Sequence, residues 1–118
     1  MTATRDYRDF LRDIVVVCRS VIHFVETMTL EDYLADERTR FAVSHGFEIM
    51  GEAVRHIPAS LKSNHPEVPW AVMAAVRNRI AHGYFGIDDS ILFATIQDDL
   101  KPLLPLLESL ARSRGVEV

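Results

Sequence analysis

A single cysteine among 118 residues, Cys18, excludes an internal disulfide framework. Its apolar neighbours Val15, Val16 and Val17 predict a buried thiol that packs as a small hydrophobe. Glycine and proline are sparse, five of each, which excludes collagen-like and low-complexity chains. Long apolar runs are missing as well. The run Ile14-Val15-Val16-Val17-Cys18 is far short of the roughly 20 residues needed to cross a bilayer, so no membrane association is expected. The first ten residues carry Arg5, Asp6, Arg8 and Asp9, which speaks against a signal peptide and for a cytoplasmic protein. Excess positive charge is absent too: the formal net charge is -4, unlike that of a strongly cationic nucleic-acid binder.

What remains is the composition of a globular chain, 48% hydrophobic and 25% charged, at a length suited to one domain spanning residues 1–118. Charge is unevenly spread. Residues 36–82 hold six basic and five acidic side chains, while both flanks are acidic. A local basic patch around Arg38, Arg40, Arg55, Arg77 and Arg79 is therefore compatible with an acidic protein.

The hydrophobic period is helical throughout. From Arg5 to Thr27, residues Tyr7, Phe10, Leu11, Ile14, Val17, Cys18, Val21, Phe24 and Val25 recur at three- and four-residue spacing. Thr29 can cap a short turn through Tyr33 and Leu34. Asp36 suits the N-cap of a second long helix ending near Ile57, where Pro58 follows. Its apolar face comprises Phe41, Val43, Phe47, Ile49, Met50, Ala53, Val54 and Ile57, with Gly51 suggesting close approach of another helix. Residues 58–69, with three prolines, read as the main connector. Pro69 starts a third helix from Trp70 to about Ala81, stopped by Gly83. Asp88 can cap a last helix reaching Leu110 or beyond, interrupted or kinked near Leu100 by Pro102 and Pro105. The expected fold is all-α, an antiparallel bundle of four to five helices.

Within the segment Arg77-Asn78-Arg79-Ile80-Ala81-His82-Gly83-Tyr84 the residue types are unusual for a helix that merely packs. Asn78 and His82 are four apart, so the amide can orient the imidazole and select its tautomer. Arg77 and His82 are five apart, about 140° around an ideal helix. They converge on one phosphate only if the helix ends near His82 or a second chain contributes. Arginine with histidine, and no carboxylate cluster, suits metal-free RNA cleavage. Histidine can move the proton of a ribose 2′-OH or of the leaving 5′ oxygen, and arginine can hold the scissile phosphate. A capping histidine near a helix C-terminus is the competing reading, because an imidazolium suits the helix dipole there. The residues alone leave both open.

The stretch RNRIAHGYFGID, with its Arg-Asn-x-x-x-His-x-Tyr pattern, resembles the signature of the HEPN superfamily, specifically its HepT-like toxin branch. The segments MGEA at Met50–Ala53, PEVPW at Pro66–Trp70 and DDLKPLLPLLE near the end resemble the same family in the same order. The likeness runs from about Asp6 to Leu110. It implies a HEPN-like helical fold, a homodimer, and metal-independent ribonuclease activity with no cofactor. Arg77 and His82 match the family's catalytic pair, and Asn78 matches the polar residue that assists them. Tyr84 matches the tyrosine to which a cognate MNT-type nucleotidyltransferase antitoxin transfers AMP. A shared cleft between two chains, one motif from each, would resolve the 140° separation. The added nucleotide phosphates would place negative charge where an RNA phosphate must sit.

Other residues carry weaker expectations. Glu52 could orient the Arg77 or Arg79 guanidinium from a neighbouring helix, or be a solvated carboxylate. Arg40 and Arg55 could extend a phosphate track, although surface arginines usually have no specific role. His45 and His56 return to nearly one face but lie about 16 Å apart along a helix, too far to share a metal ion. Trp70 could stack on a base, although such a tryptophan more often anchors its connector to the core. A non-catalytic binding module that partners a nucleotidyltransferase is the alternative to the enzyme.

Overall fold

The computed structural model describes residues 5–75 and 88–118. Helix α1, Tyr7–Val25, begins at Asp6, whose carboxylate accepts from the Arg8 N–H while Asp9 reaches back to the Asp6 N–H. The Arg8 side chain and these N–H donors hold the Asp6 carboxyl below its ordinary range. Thr29 and Asp32 form a second reciprocal cap at the start of α2, Leu30–Ala35. Asp36 caps α3, Glu37–Val54, by accepting from the Thr39 N–H. These caps follow from sequence because each satisfies helix donors within three residues of itself.

Helices α1 and α3 pack antiparallel, since Phe10 meets His56 at one end and Val21 meets Gly46 nearer the other. Buried Leu11, Ile14, Val15, Cys18, Val21 and Val25 face Val43, Phe47, Met50 and Val54 in one continuous core. Val15 is fully buried although it lies off the expected stripe, and Phe24, on that stripe, is 43% exposed. Helix α1 is covered on two sides, by α3 and by the C-terminal helix, so its buried face is wider than one stripe and shifted. Phe41 also departs from expectation at 66% exposure. It sits two positions from buried Val43, about 200° around α3.

A close backbone approach occurs at Gly46. A Cβ there would lie 2.6 Å from Val21 Cγ1 and 3.3 Å from Val17 Cγ1. Helix α3 ends three residues before Ile57. Arg55, His56 and Ile57 donate to Glu52, Ala53 and Val54, a tighter turn three residues back each time. Pro58 explains this, because the residue before a proline is pushed out of the helical region.

The connector is partly helical rather than open. Helix α4, Ala59–Asn64, starts directly after Pro58 and buries Leu61 in the core. A proline at a helix start costs no hydrogen bond. A further helix, α5, begins at 70 and is described through 75. Its expected end at Ala81 and the Gly83 stop lie outside the described residues.

Asp88 accepts from Ser90 and Ile91 N–H groups to start α6, Asp89–Thr95. A π-helical turn, Ile96–Leu100, leads into α7, Lys101–Ser113. The Lys101 N–H reaches the Ile96 carbonyl, five residues back. Pro102 has no N–H to donate and its ring would press on the Asp98 carbonyl of a regular helix, which the wider turn relieves. The interruption expected near Leu100 therefore takes the form of an inserted residue. All described elements are helical, with no strand among the described residues, and no described helix is long and apolar enough to cross a membrane.

Candidate functional site

Arg77, Asn78, Arg79, His82 and Tyr84 lie outside the described residues. The structure shows the two anchors on either side of them and the neighbouring face of α3.

The entering anchor is Trp70. It is 7% exposed, and its indole Nε1 donates to the His65 carbonyl at 3.0 Å. The ring therefore ties the connector to the core, and stacking on a base is not its job. Trp70 needed this arrangement because a buried indole N–H without an acceptor would be costly.

The leaving anchor is built on Asp88 and Asp89. Asp88 caps α6, and Asp89 accepts from Arg40 Nη1 of α3 at 3.4 Å, both side chains more than two-thirds covered. Arg40 was a candidate for the phosphate track. Its guanidinium instead holds the start of α6. Beneath this pair, Tyr33 is fully buried against the Phe93 ring, and Tyr33 Oη and Arg40 Nε have no hydrogen-bond partner among the described residues. Burial, with Asp89 nearby, pushes the Tyr33 hydroxyl well above its ordinary pKa, so it stays protonated.

On α3, Glu52 lies 3.3 Å from Arg55 Nη1 and 3.4 Å from His56 Nε2. Whether it also meets Arg77 or Arg79 involves residues outside the described ones. The His56 contact was missed in the sequence, although a Glu–His pair four apart on a helix end was a legible signal. His56 in turn stacks on Phe10, with ring centroids 4.1 Å apart and planes 11° apart. Arg5 lies over the same ring, 4.4 Å from its centroid, and bonds Asp13 at 2.7 Å. Arg5, Phe10, Asp13 and Glu52 line a cleft of about 260 Å³ between α1 and α3 together with Glu48, Ile49 and Ala53. His56 does not line it but touches two residues that do, Phe10 and Glu52. Among the described residues, no three histidine, cysteine or carboxylate side chains are grouped to hold a metal ion.

Comparison with known proteins now decides the family. A family model described as ribonuclease HepT-like matches residues 4–110, nearly the whole chain. This chain belongs to the HepT-like ribonuclease family. A Thermococcus cleftensis protein named "Probable ribonuclease HepT" is 38% identical over 108 residues, covering 92% of this chain and 98% of its own. Two candidate RNases of Methanocaldococcus jannaschii are 33% and 35% identical, over 110 and 96 residues. The first alignment covers 90% of this chain and 91% of the relative, the second 81% and 88%. No solved structure matches the chain. The HepT-like match takes in both anchors and the Arg77–Tyr84 segment between them, so the helical frame described above is that of a HepT-like protein.

Proposed function

We propose that this HepT-like chain is the toxin of a toxin–antitoxin pair, an endoribonuclease that needs no metal. The observation carrying this reading is that the family match runs through the whole motif segment, with ribonuclease-named relatives aligned over most of the chain. Arg77 binds the scissile phosphate through paired hydrogen bonds and stabilises the charge that develops on it. His82 takes the proton from the ribose 2′-OH or returns one to the leaving 5′ oxygen, and Asn78 orients its ring. The 2′ oxygen forms a bond to phosphorus as the bond to the 5′ oxygen breaks, leaving a 2′,3′-cyclic phosphate. Arg79 and Glu52 support the arginine side of the site.

Two chains, each one domain over residues 1–118, pair so that both motifs face one cleft. A cognate nucleotidyltransferase attaches AMP to the Tyr84 hydroxyl and blocks phosphate binding. The protein works in the cytoplasm. The test is incubation of purified protein with total RNA in excess chelator, followed by analysis of fragment ends. Fragments ending in 2′,3′-cyclic phosphate are expected. Absence of cleavage at every protein concentration, with the transferase complex still forming, would instead make the chain a non-catalytic binding module.

A further inference from the structure

The cleft between α1 and α3 has features that simple helix packing does not require. The Phe10 ring carries the His56 ring stacked at 4.1 Å and the Arg5 guanidinium at 4.4 Å. His56 is 46% exposed at its side chain, and Phe10 covers one of its faces. Its exposed surface therefore lies away from the face that Phe10 covers, with Nε2 turned to Glu52. A flat ring already backed by an aromatic and a cation is a ready platform for another flat ring.

The charges around the cleft sharpen the kind of ring. Three carboxylates line it, Asp13, Glu48 and Glu52. Arg5 holds Asp13 at 2.7 Å and Arg55 holds Glu52 at 3.3 Å. Glu48 has no partner among the described residues, although it is half-buried and stands four residues before Glu52 on the same face. Two like charges at that spacing oppose helix stability slightly. The Glu48 carboxylate is therefore an acceptor with no donor among the described residues, and Arg55, seven residues further along the chain and 62% exposed at its side chain, can meet a phosphate.

We propose that this cleft and the His56 ring adjoining it form a subsite for single-stranded RNA, in which one base stacks on His56 outside the cleft and an adjacent nucleotide turns its N–H edge to Glu48 within it. Stacking on aromatic rings and reading of exposed base edges are the usual means of recognising unpaired RNA. His56 and Glu48 are two helical turns apart, about 12 Å along the axis, so consecutive nucleotides and not one base meet both. Guanine is favoured at Glu48, because its N1–H and N2–H lie side by side and a carboxylate accepts both at once. Adenine and cytosine each present one amino group there. The subsite rests on the ribonuclease reading for its choice of RNA as ligand, and it chooses which sequence is held.

The experiment separates the two. Short oligonucleotides, 2′-O-methylated throughout so that no 2′-OH attack can occur, are titrated against full-length protein. They are uridine-rich and contain one guanine, inosine or adenine. Guanine is expected to bind best, inosine about three- to ten-fold more weakly for the loss of one donor, and adenine more weakly still. His56→Ala should weaken all three by about ten-fold, and Glu48→Gln should erase the difference between guanine and inosine. Both side chains are partly exposed, and circular dichroism verifies that the variants remain folded. Equal binding by wild-type and folded His56→Ala protein overturns the platform, and equal binding of guanine and inosine by the wild type overturns the role of Glu48. Either result leaves RNA cleavage untouched. Conversely, base-selective binding that depends on His56, in a protein that cleaves no RNA, upholds the subsite and rejects the ribonuclease.

Discussion

Arg40 and Asp89 are separated by 49 positions in sequence and meet at 3.4 Å where α3 receives the first turn of α6. Only Asp88 separates Asp89 from the undescribed stretch that contains the motif. Breaking the pair by Arg40→Ala strands a partly buried carboxylate. The expected cost is about 1–3 kcal/mol of stability, read from urea unfolding. Arg40→Lys should recover only part of it, because a lysine cannot reproduce the planar fork. Unchanged unfolding midpoints in Arg40→Ala would show that the contact contributes nothing.

Gly46→Ala should destabilise the protein despite alanine's better helix propensity. The propensity gain is about 1 kcal/mol. Against it stands a Cβ 2.6 Å from Val21 Cγ1, a stiff, fully packed β-branched side chain. Overpacking of this kind costs about 1–3 kcal/mol. The pair of substitutions Gly46→Ala with Val21→Ala tests the cause, since they should be less than additive. Strict additivity in thermal unfolding would refute the steric account.

Trp70→Phe keeps most of the apolar ring but leaves the His65 carbonyl without its 3.0 Å donor. A loss of about 0.5–1.5 kcal/mol is expected. Hydrogen exchange should quicken first in the connector. A uniform change across the protein would argue against a local anchor.

Burial pushes the Cys18 thiol up to about 12, and its Sγ–H points to the Leu100 carbonyl at 3.9 Å. In the folded protein the thiol should resist disulfide reagents until unfolding. The linkage has a definite sign. The unfolded chain releases the Cys18 proton near pH 8.5, whereas the folded chain keeps it until about 12. The contribution to stability is complete below the unfolded value and falls as pH rises across that window. Cys18→Ala should therefore show a flatter loss of stability between pH 8 and 10 than the wild type.

For the proposed chemistry, His82→Ala and Arg77→Ala should each lower RNA cleavage by about a hundred- to ten-thousand-fold, measured on one defined substrate. Full activity in His82→Ala would remove its assigned role. Tyr84→Phe should still cleave RNA but take up no labelled AMP from the transferase, which distinguishes a control point from a catalyst.

Helix starts were legible because their determinants are local. Thr29, Asp36 and Asp88, the caps read from the sequence, each bond N–H groups two or three residues ahead, and so does Asp6, a cap that the sequence reading did not name. The expected break near Leu100 was legible for the same reason, since Pro102 acts on the turn before it. The helical connector was not read, because three prolines suggested a loop and the buried Leu61 that favours α4 depends on distant core residues. The candidate catalytic segment was read wholly from sequence, by its pattern of residues and its family likeness.

Sequence by itself determined the helical class, the caps and the motif, because period, capping and motif spacing act within a few residues. Tertiary structure decided that Arg40 holds Asp89, that Trp70 is an anchor, that Gly46 is closely packed against α1, and that Phe10, Arg5 and His56 form a stacked edge next to the cleft lined by Glu48 and Glu52. Apart from Trp70, each of these joins positions far apart in the chain. No local rule pairs them; they meet because burying the apolar faces of α1, α3 and α7 in one core fixes how the helices cross.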